Sequence, residues 1–303
     1  MSPPSSSSFK PVRRLPISVP PALNETTTSY LQRLATNNRI TLKVLHDLLG
    51  INRGLVGLHL QPHHISRLAV ATGYPKIQLD QALPQLTNRH TNLAYLLNWP
   101  RPACQNCARH YPGGRVMRYY PPSVHCCPKH RVWISSERYS RGTADISGTP
   151  EVIAAHTRHR RLTNQFGPKS TQYAFATARE VWGRISYDEA DVRGIDRRLE
   201  ILGLNPDGRV SLNDPRHLAA SYPEVVDMCG FLVSARWQQA ASRRETLTLF
   251  LATLGNLLAG KEWMYWPNNT SDPIGRWVDH LIGGSIPWGK VEPPPNFYLL
   301  QLR

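Results

Sequence analysis

The chain reads as mainly α, with one small non-helical module set between an N-terminal and a C-terminal helical domain. Three observations carry that expectation. Apolar residues recur at three- and four-residue spacing in at least six segments, with no internal repeat and no coiled-coil heptads. Four of the five cysteines fall within 24 of the 303 residues, too close together to be scattered core thiols. Hydrophobic residues make up 41% of the chain, ample for a core, yet no stretch approaches the roughly 20 consecutive apolar residues that a bilayer requires.

Residues 1–22 are Ser- and Pro-rich and are expected to form a mobile tail. The N-terminal helical domain is expected over 23–99. Tyr30, Leu31, Leu34 and Ala35 share one face of a helix over 28–37, behind several N-cap candidates in 24–28. A second helix spans 42–49 and stops at Gly50. Residues 64–83 have a helix-turn-helix-like rhythm: a short helix carrying Leu68 and Ala69, a turn at Gly73, then a helix with Leu79 and Leu83 at i, i+4. Any helical hairpin with a glycine turn has that rhythm, so plain helical packing competes with base reading there; Arg67 and Lys76 are its nearby cations.

The module at 100–141 holds the strongest signal. Cys104-Gln105-Asn106-Cys107 is followed, 19 residues later, by Cys127-Pro128-Lys129-His130. Each knuckle places two soft ligands on one tight turn, and two such turns complete a tetrahedron around Zn²⁺. The interval can hold a hairpin, which makes the module zinc-ribbon-like. Cys126 competes with Cys127, and His110 and His125 lie close in sequence; Cys127 is preferred because its x2 spacing to His130 matches the first knuckle. Four protein ligands leave no open position for water, and no His is followed two residues later by Glu as in zinc nucleobase deaminases, so the one zinc is expected to be structural. Cys229, on an apolar segment, reads as a core residue.

A Gly-, Ser- and Thr-rich stretch over 138–150 reads as a flexible domain junction. The C-terminal helical domain, 142–303, is expected to contain helices over 152–162, 173–185, 188–202, 223–238 and 244–258, with Asp188, Pro223 and Ser242 as helix starts. Short aromatic-bearing segments around Trp277, Trp288 and Tyr298 close the chain.

Charge is the other strong signal. The chain carries +15, and residues 1–141 hold 18 Lys and Arg against four acids, whereas 142–303 hold 18 against 17. A basic half of this kind favours polyanions, and nucleic acid leads. Arg101, Arg109, Arg115, Arg118, Lys129, Arg131, Arg138 and Arg141 surround the knuckles, interleaved with Tyr119, Tyr120 and Trp133. Arg158, Arg160 and Arg161 form a basic helical turn further on. The expected phosphate contacts are Arg67, Lys76, Arg109, Arg115, Arg118, Lys129, Arg131, Arg158, Arg160 and Arg161. Trp133 reads as packing over the small metal core rather than as a base platform.

Catalytic signatures are missing: there is no G-x-x-x-x-G-K-[ST], G-x-S-x-G, H-E-x-x-H or G-x-G-x-x-G. The acids of the second half are interleaved with Arg, as in Asp196-Arg197-Arg198-Leu199-Glu200, a pattern of solvated i, i+4 pairs. The expectation is therefore a protein without catalytic residues. An odd cysteine count and no apolar core near the first residues point to a reducing cytoplasm rather than secretion.

Leu15-Pro16, Pro20-Pro21 and Glu25-Thr26-Thr27-Thr28-Ser29-Tyr30-Leu31-Gln32-Arg33-Leu34-Ala35 resemble the opening of TniQ proteins, a proline-rich lead followed by E-S-x-x-S-x-L-x-R-L-A, with Thr26 in place of the usual Ser. The two knuckles match that family's in order and place, and 150–162 is similar to a segment of actinobacterial members. The resemblance covers roughly 12–162. Many relatives carry a further C-x-x-C for a second zinc; none follows His130 here, so one zinc is expected. The resemblance implies a non-enzymatic adaptor for selecting DNA-transposition targets, which meets target DNA (in some systems a CRISPR effector) and recruits an AAA+ ATPase regulator. Two readings compete with it: a stand-alone zinc-containing transcriptional regulator, self-associating to read an operator, and a metal-dependent nuclease using carboxylates of the second half.

Overall fold

The helical periodicity is realised along the chain, and the protein is mainly α with a few short strands. The computed structural model describes residues 11–51, 60–86, 100–134, 143–185, 193–206, 211, 213–260, 262–269, 271–290, 293–294 and 298–300. The chain divides into two compact units, 1–121 and 122–303.

In the first unit, α1 (Thr27–Asn37) starts where Thr26 in an extended conformation accepts the N–H of Ser29. Thr41 caps α2 (Leu42–Leu49) in the same way, and Gly50 ends it in the left-handed conformation. α3 (Pro62–Thr72) and α4 (Lys76–Ala82) flank a turn at Gly73, so the helical hairpin expected over 64–83 is present. Tyr30, Leu31, Leu34, Leu45, Leu49, Leu68, Leu79 and Leu83 form the buried core of these helices. The mobile tail expected over 1–22 is not what residues 11–22 form. Val19 is fully buried in this core, and the Leu15 N–H donates to the Ala71 carbonyl at 2.8 Å. The apolar Val12, Leu15 and Val19 outweigh the local proline content, because they have a helical core to cover. Residues 1–10 lie outside the described residues.

Strands β1 (Arg101–Pro102) and β2 (Met117–Arg118) pair antiparallel, and the four-residue helix α5 (Gln105–Ala108) follows β1.

The second unit opens with a three-stranded antiparallel sheet: β3 (Cys126–Cys127), β4 (Val132–Ile134) and β5 (Thr143–Asp145). Part of the expected flexible junction is thus a strand; the Ser147 N–H is held by Asp145 Oδ1 at 2.9 Å, and α6 (Pro150–Phe166) begins directly after. Then come α7 (Pro168–Trp182), α8 (Arg193–Ile201), α9 (Pro215–Val233), α10 (Ala235–Ser242), α11 (Arg244–Ala259), strand β6 (Trp263–Tyr265), α12 (Pro273–Ile282) and strand β7 (Tyr298–Leu300), which pairs parallel with β6. Trp182, Phe250, Tyr265, Trp277 and Trp288 join the aliphatic residues of these helices in one large core. At Gly255 a Cβ would sit 2.5 Å from the Tyr265 nitrogen, so glycine there lets α11 lie directly on the β6 backbone.

Pro223 is not the helix start expected of it. It lies inside α9, which begins at the Asp214 cap and Pro215 eight residues earlier. An internal proline disturbs the carbonyls one turn back. In the same turn the Arg198 Nε donates to the Ala220 carbonyl at 2.6 Å.

Candidate metal centre

Each knuckle is positioned by short backbone pairings. In the first unit the Ala103 N–H donates to the Val116 carbonyl at 2.8 Å, which extends the β1–β2 pairing and sets buried Cys104 at the head of α5, with half-buried Cys107 one turn on. In the second unit Cys127 ends β3, and the turn over 128–131 returns the chain to β4 with Arg131 in the left-handed region at φ 50°. That conformation places His130 beside Cys127: Cys127 Sγ and His130 Nδ1 are 3.5 Å apart.

The ligand atoms of Cys104, Cys107, Cys127 and His130 all lie within 4.8 Å of one another. Zn–S bonds of 2.3 Å and Zn–N bonds of 2.0–2.1 Å imply tetrahedron edges of roughly 3.5 to 3.8 Å. The Cys127–His130 separation matches such an edge, and the others need only a small contraction. The four residues can therefore hold a metal ion, and among the described residues no other group of three or more His, Cys, Asp or Glu residues can do so.

Cys126, the rival of Cys127, points elsewhere. It is buried against Trp133, Ile146 and Tyr222, and burial pushes its thiol up to about 12, the opposite of what a thiolate ligand needs. His125 is also outside the ligand set, stacked on Trp133 and His159. Cys229 is fully buried and its thiol is likewise pushed up to about 12.

The loop between the first knuckle and β2 is held by a polar hub that spacing rules did not identify. Glu25 Oε1 accepts from the Ser29 hydroxyl and the Arg33 Nε, each at 2.8 Å, while Oε2 accepts from the Ala22 N–H at 2.9 Å and Arg33 Nη2 at 2.6 Å. Arg33 reaches on to the carbonyls of Pro20 and Pro112, both at 3.0 Å, and the Met117 N–H donates to the Ser29 hydroxyl oxygen at 3.0 Å. Glu25 and Arg33 are 0% and 1% exposed, so each depends on the other for its charge. Gly113 completes the contact: a Cβ there would be 2.0 Å from the Asn37 amide nitrogen and 2.5 Å from the Arg33 carbonyl. The polar i, i+4, i+8 spacing of Glu25, Ser29 and Arg33 on an otherwise apolar face was the available signal.

The expected phosphate contacts separate into two sets. Arg109, Arg115, Lys129 and Arg131 near the knuckles are exposed, as are Lys76 on α4 and Arg160 and Arg161 on α6. Three others are engaged: Arg67 donates to the Leu48 carbonyl at 2.7 Å, Arg118 to the Leu23 carbonyl at 2.7 Å, and Arg158 pairs with Asp227 at 2.8 Å. Arg101 is buried with its guanidinium over Tyr120. Tyr120 also has Arg118 over its ring, Tyr119 is half-buried, and Trp133 is 2% exposed. The aromatics interleaved with this basic stretch therefore serve packing. Arg138 and Arg141 lie outside the described residues, as do the acids Asp188, Glu189 and Asp191.

The described acids of the second unit are spread over separate partners. Glu180 pairs with Arg184 and Arg276, Glu224 with Arg198, Glu151 with Arg197, and Asp214 with Arg216, while Asp272 caps α12. Among the described ion pairs only Arg184–Glu180 has the expected i, i+4 spacing; Arg198 reaches Glu224 on α9, because the side chain is buried there and needs a partner from the next helix. No described helix is long and apolar enough to cross a membrane. Searches against protein-family models, curated proteins and solved structures each find no match to this chain.

Proposed function

We propose that this protein is a zinc-stabilised, non-enzymatic DNA-binding adaptor of the TniQ type, which links target DNA to an AAA+ ATPase regulator during transposition target selection. One Zn²⁺ is held by Cys104, Cys107, Cys127 and His130, where it fixes both knuckle turns. The observation that carries the reading is the set of exposed cations around those knuckles, Arg109, Arg115, Lys129 and Arg131, on the half of the chain with nearly all of the excess charge. Arg160 and Arg161 on α6 extend the set. Each can meet a phosphate as a solvated cation, and together they supply affinity without reading sequence. The dispersal of the described carboxylates into caps and ion pairs favours this reading over the nuclease.

Anisotropy of a labelled duplex over a salt series tests it. Six phosphate contacts predict an affinity loss on the order of 10³ between about 50 and 200 mM salt. The double variant Arg160→Glu, Arg161→Glu should flatten the slope by roughly two contacts. A salt-independent affinity would sink the phosphate-contact reading. Metal analysis should find one zinc per chain, lost in Cys104→Ser and kept in Cys126→Ser. The partner half is tested by ATP-dependent co-sedimentation with an AAA+ ATPase encoded beside this gene.

The α3–α4 hairpin favours a second reading, an operator-specific regulator, since Lys76, Gln78 and Gln81 are exposed on α4. A footprint on one sequence that Lys76→Ala abolishes, with no ATPase association, would favour the regulator.

A further inference from the structure

The second unit contains a cavity of about 670 Å³ between α11, the end of α12 and the segment that follows it. Leu247, Leu251, Trp266 and Ile286 supply its apolar lining, and Arg243 and Arg244 stand at its edge. Both arginines are exposed, and none of the described ion pairs engages either. Among the described residues no acid lines the cavity. Asp279 is outside the lining and already engaged, accepting from the Ile286 N–H at 2.9 Å and the Ser285 hydroxyl at 3.3 Å, and Glu245 is not part of the lining. Ile282, 39% exposed, lines the same cavity.

From this we infer that the cavity is a docking site for a short segment of another protein, one that combines large apolar side chains with a carboxylate. Charge complementarity sets the sign of the partner: two unpaired arginines beside an apolar recess favour an anionic group next to an apolar one. The volume falls in the range of about 300–1,000 Å³ seen for pockets that enclose a ligand. Nucleic acid fits poorly, because bases rest on open aromatic faces and Trp266 and Trp288 are 7% and 1% exposed. Hydroxyl residues Ser242, Thr248 and Ser285 also line the cavity, and they suit peptide groups better than an alkyl chain. The site does not depend on the DNA-binding reading, and it gives the nearly neutral half of the chain a role in binding protein.

An array of hexapeptides tests the inference with the full-length protein. In one set two Glu or Asp residues alternate with Leu, Ile and Phe in all orders; the matched set carries Lys in place of the acids. The acidic set should bind and the Lys set should not. The double variant Arg243→Glu, Arg244→Glu, at exposed positions, should weaken the best acidic peptides about tenfold and turn the preference towards the Lys set. Ile282→Ser should weaken both variants' preferred peptides without altering the melting temperature. Equal binding of the two sets, binding of neither, or a preference unmoved by the charge reversal would each overturn the site. Binding of decanoate with no acidic peptide bound would overturn it too, assigning the cavity to a fatty carboxylate.

Discussion

The two units hold themselves together by different means. The second packs long helices around an aromatic-rich core: α9 spans 19 residues and α11 spans 16, and Phe250, Trp277 and Tyr265 are almost wholly inside. Among the described residues the first has no helix longer than 11 residues, and beside its smaller aliphatic core it spends buried volume on the Glu25–Arg33 pair. Small cores supply little net stability, so short helices and loops of this kind need other constraints. The polar hub is one such constraint, and a metal ion held by Cys104, Cys107, Cys127 and His130 would be another. Perturbations that strike charge or metal should therefore fall on the first unit and the knuckles, and leave α7, α9 and α11 intact.

Metal removal is the sharpest way to break that contrast. In isolated zinc modules binding contributes about 10–16 kcal/mol of folding free energy. Chelation should therefore strip amide-exchange protection from residues 100–134 while α9 and α11 keep theirs. Loss of protection that extends to α7, α9 and α11 would show that the helical core of the second unit also depends on the ion.

Next in size is the hub. Glu25→Gln leaves the Arg33 guanidinium buried without its counter-charge, and breaking a buried pair in this manner costs about 3–5 kcal/mol. The expected result is a lower melting transition and a mobile loop over 109–117, because the Pro112 carbonyl and the Ser29 hydroxyl are held through the same network. A Glu25→Gln protein that melts like the parent would mean the hub contributes specificity without stability.

The second unit has its own polar weakness, at His159. Its Nδ1 lies 2.9 Å from the Tyr222 hydroxyl, the ring stacks on Phe175 and His125, and burial, reinforced by nearby His156, lowers its pKa to about 4. The unfolded chain takes up this proton near pH 6.5 while the folded chain does not. Stability from keeping His159 neutral is thus complete above about pH 6.5 and is lost as pH falls towards 4, by about 3 kcal/mol in all. Denaturant midpoints of the parent should drop through that window, and those of His159→Gln should drop less.

Much of this was legible from the sequence, and the reason lies in how local each signal is. The ends of α1 and α2 could be read to within a residue because Thr26, Thr41 and Gly50 act on their own turns. The cluster that could hold a metal could be read because two knuckles carry their geometry within four residues each. The early start of α9 could not be read past Pro223, because a proline ordinarily marks a helix start or stop, whereas here the Asp214 cap and Pro215 begin the helix upstream. The role of Glu25, Ser29 and Arg33 likewise depends on a loop some 80 residues away. The resemblance flagged those residues as a pattern, and the packing supplies the physical cause.

The smallest expected effect compares one device in both units. Thr26 caps α1 through a single bond to the Ser29 N–H at 3.1 Å. Asp272 caps α12 through two, to the N–H groups of Ile274 at 2.8 Å and Gly275 at 2.9 Å, and also accepts the Tyr265 hydroxyl at 2.9 Å. Losing a simple side-chain cap costs about 1 kcal/mol, so Thr26→Ala should lower stability by about that much and Thr26→Ser should be nearly neutral. Asp272→Ala should cost more, about 2–3 kcal/mol, since it also strands a buried tyrosine hydroxyl. Urea midpoints of the three variants rank the caps. A Thr26→Ala loss equal to that of Asp272→Ala would mean that the short helix depends on its first turn as heavily as the longer-helixed unit depends on a buried network.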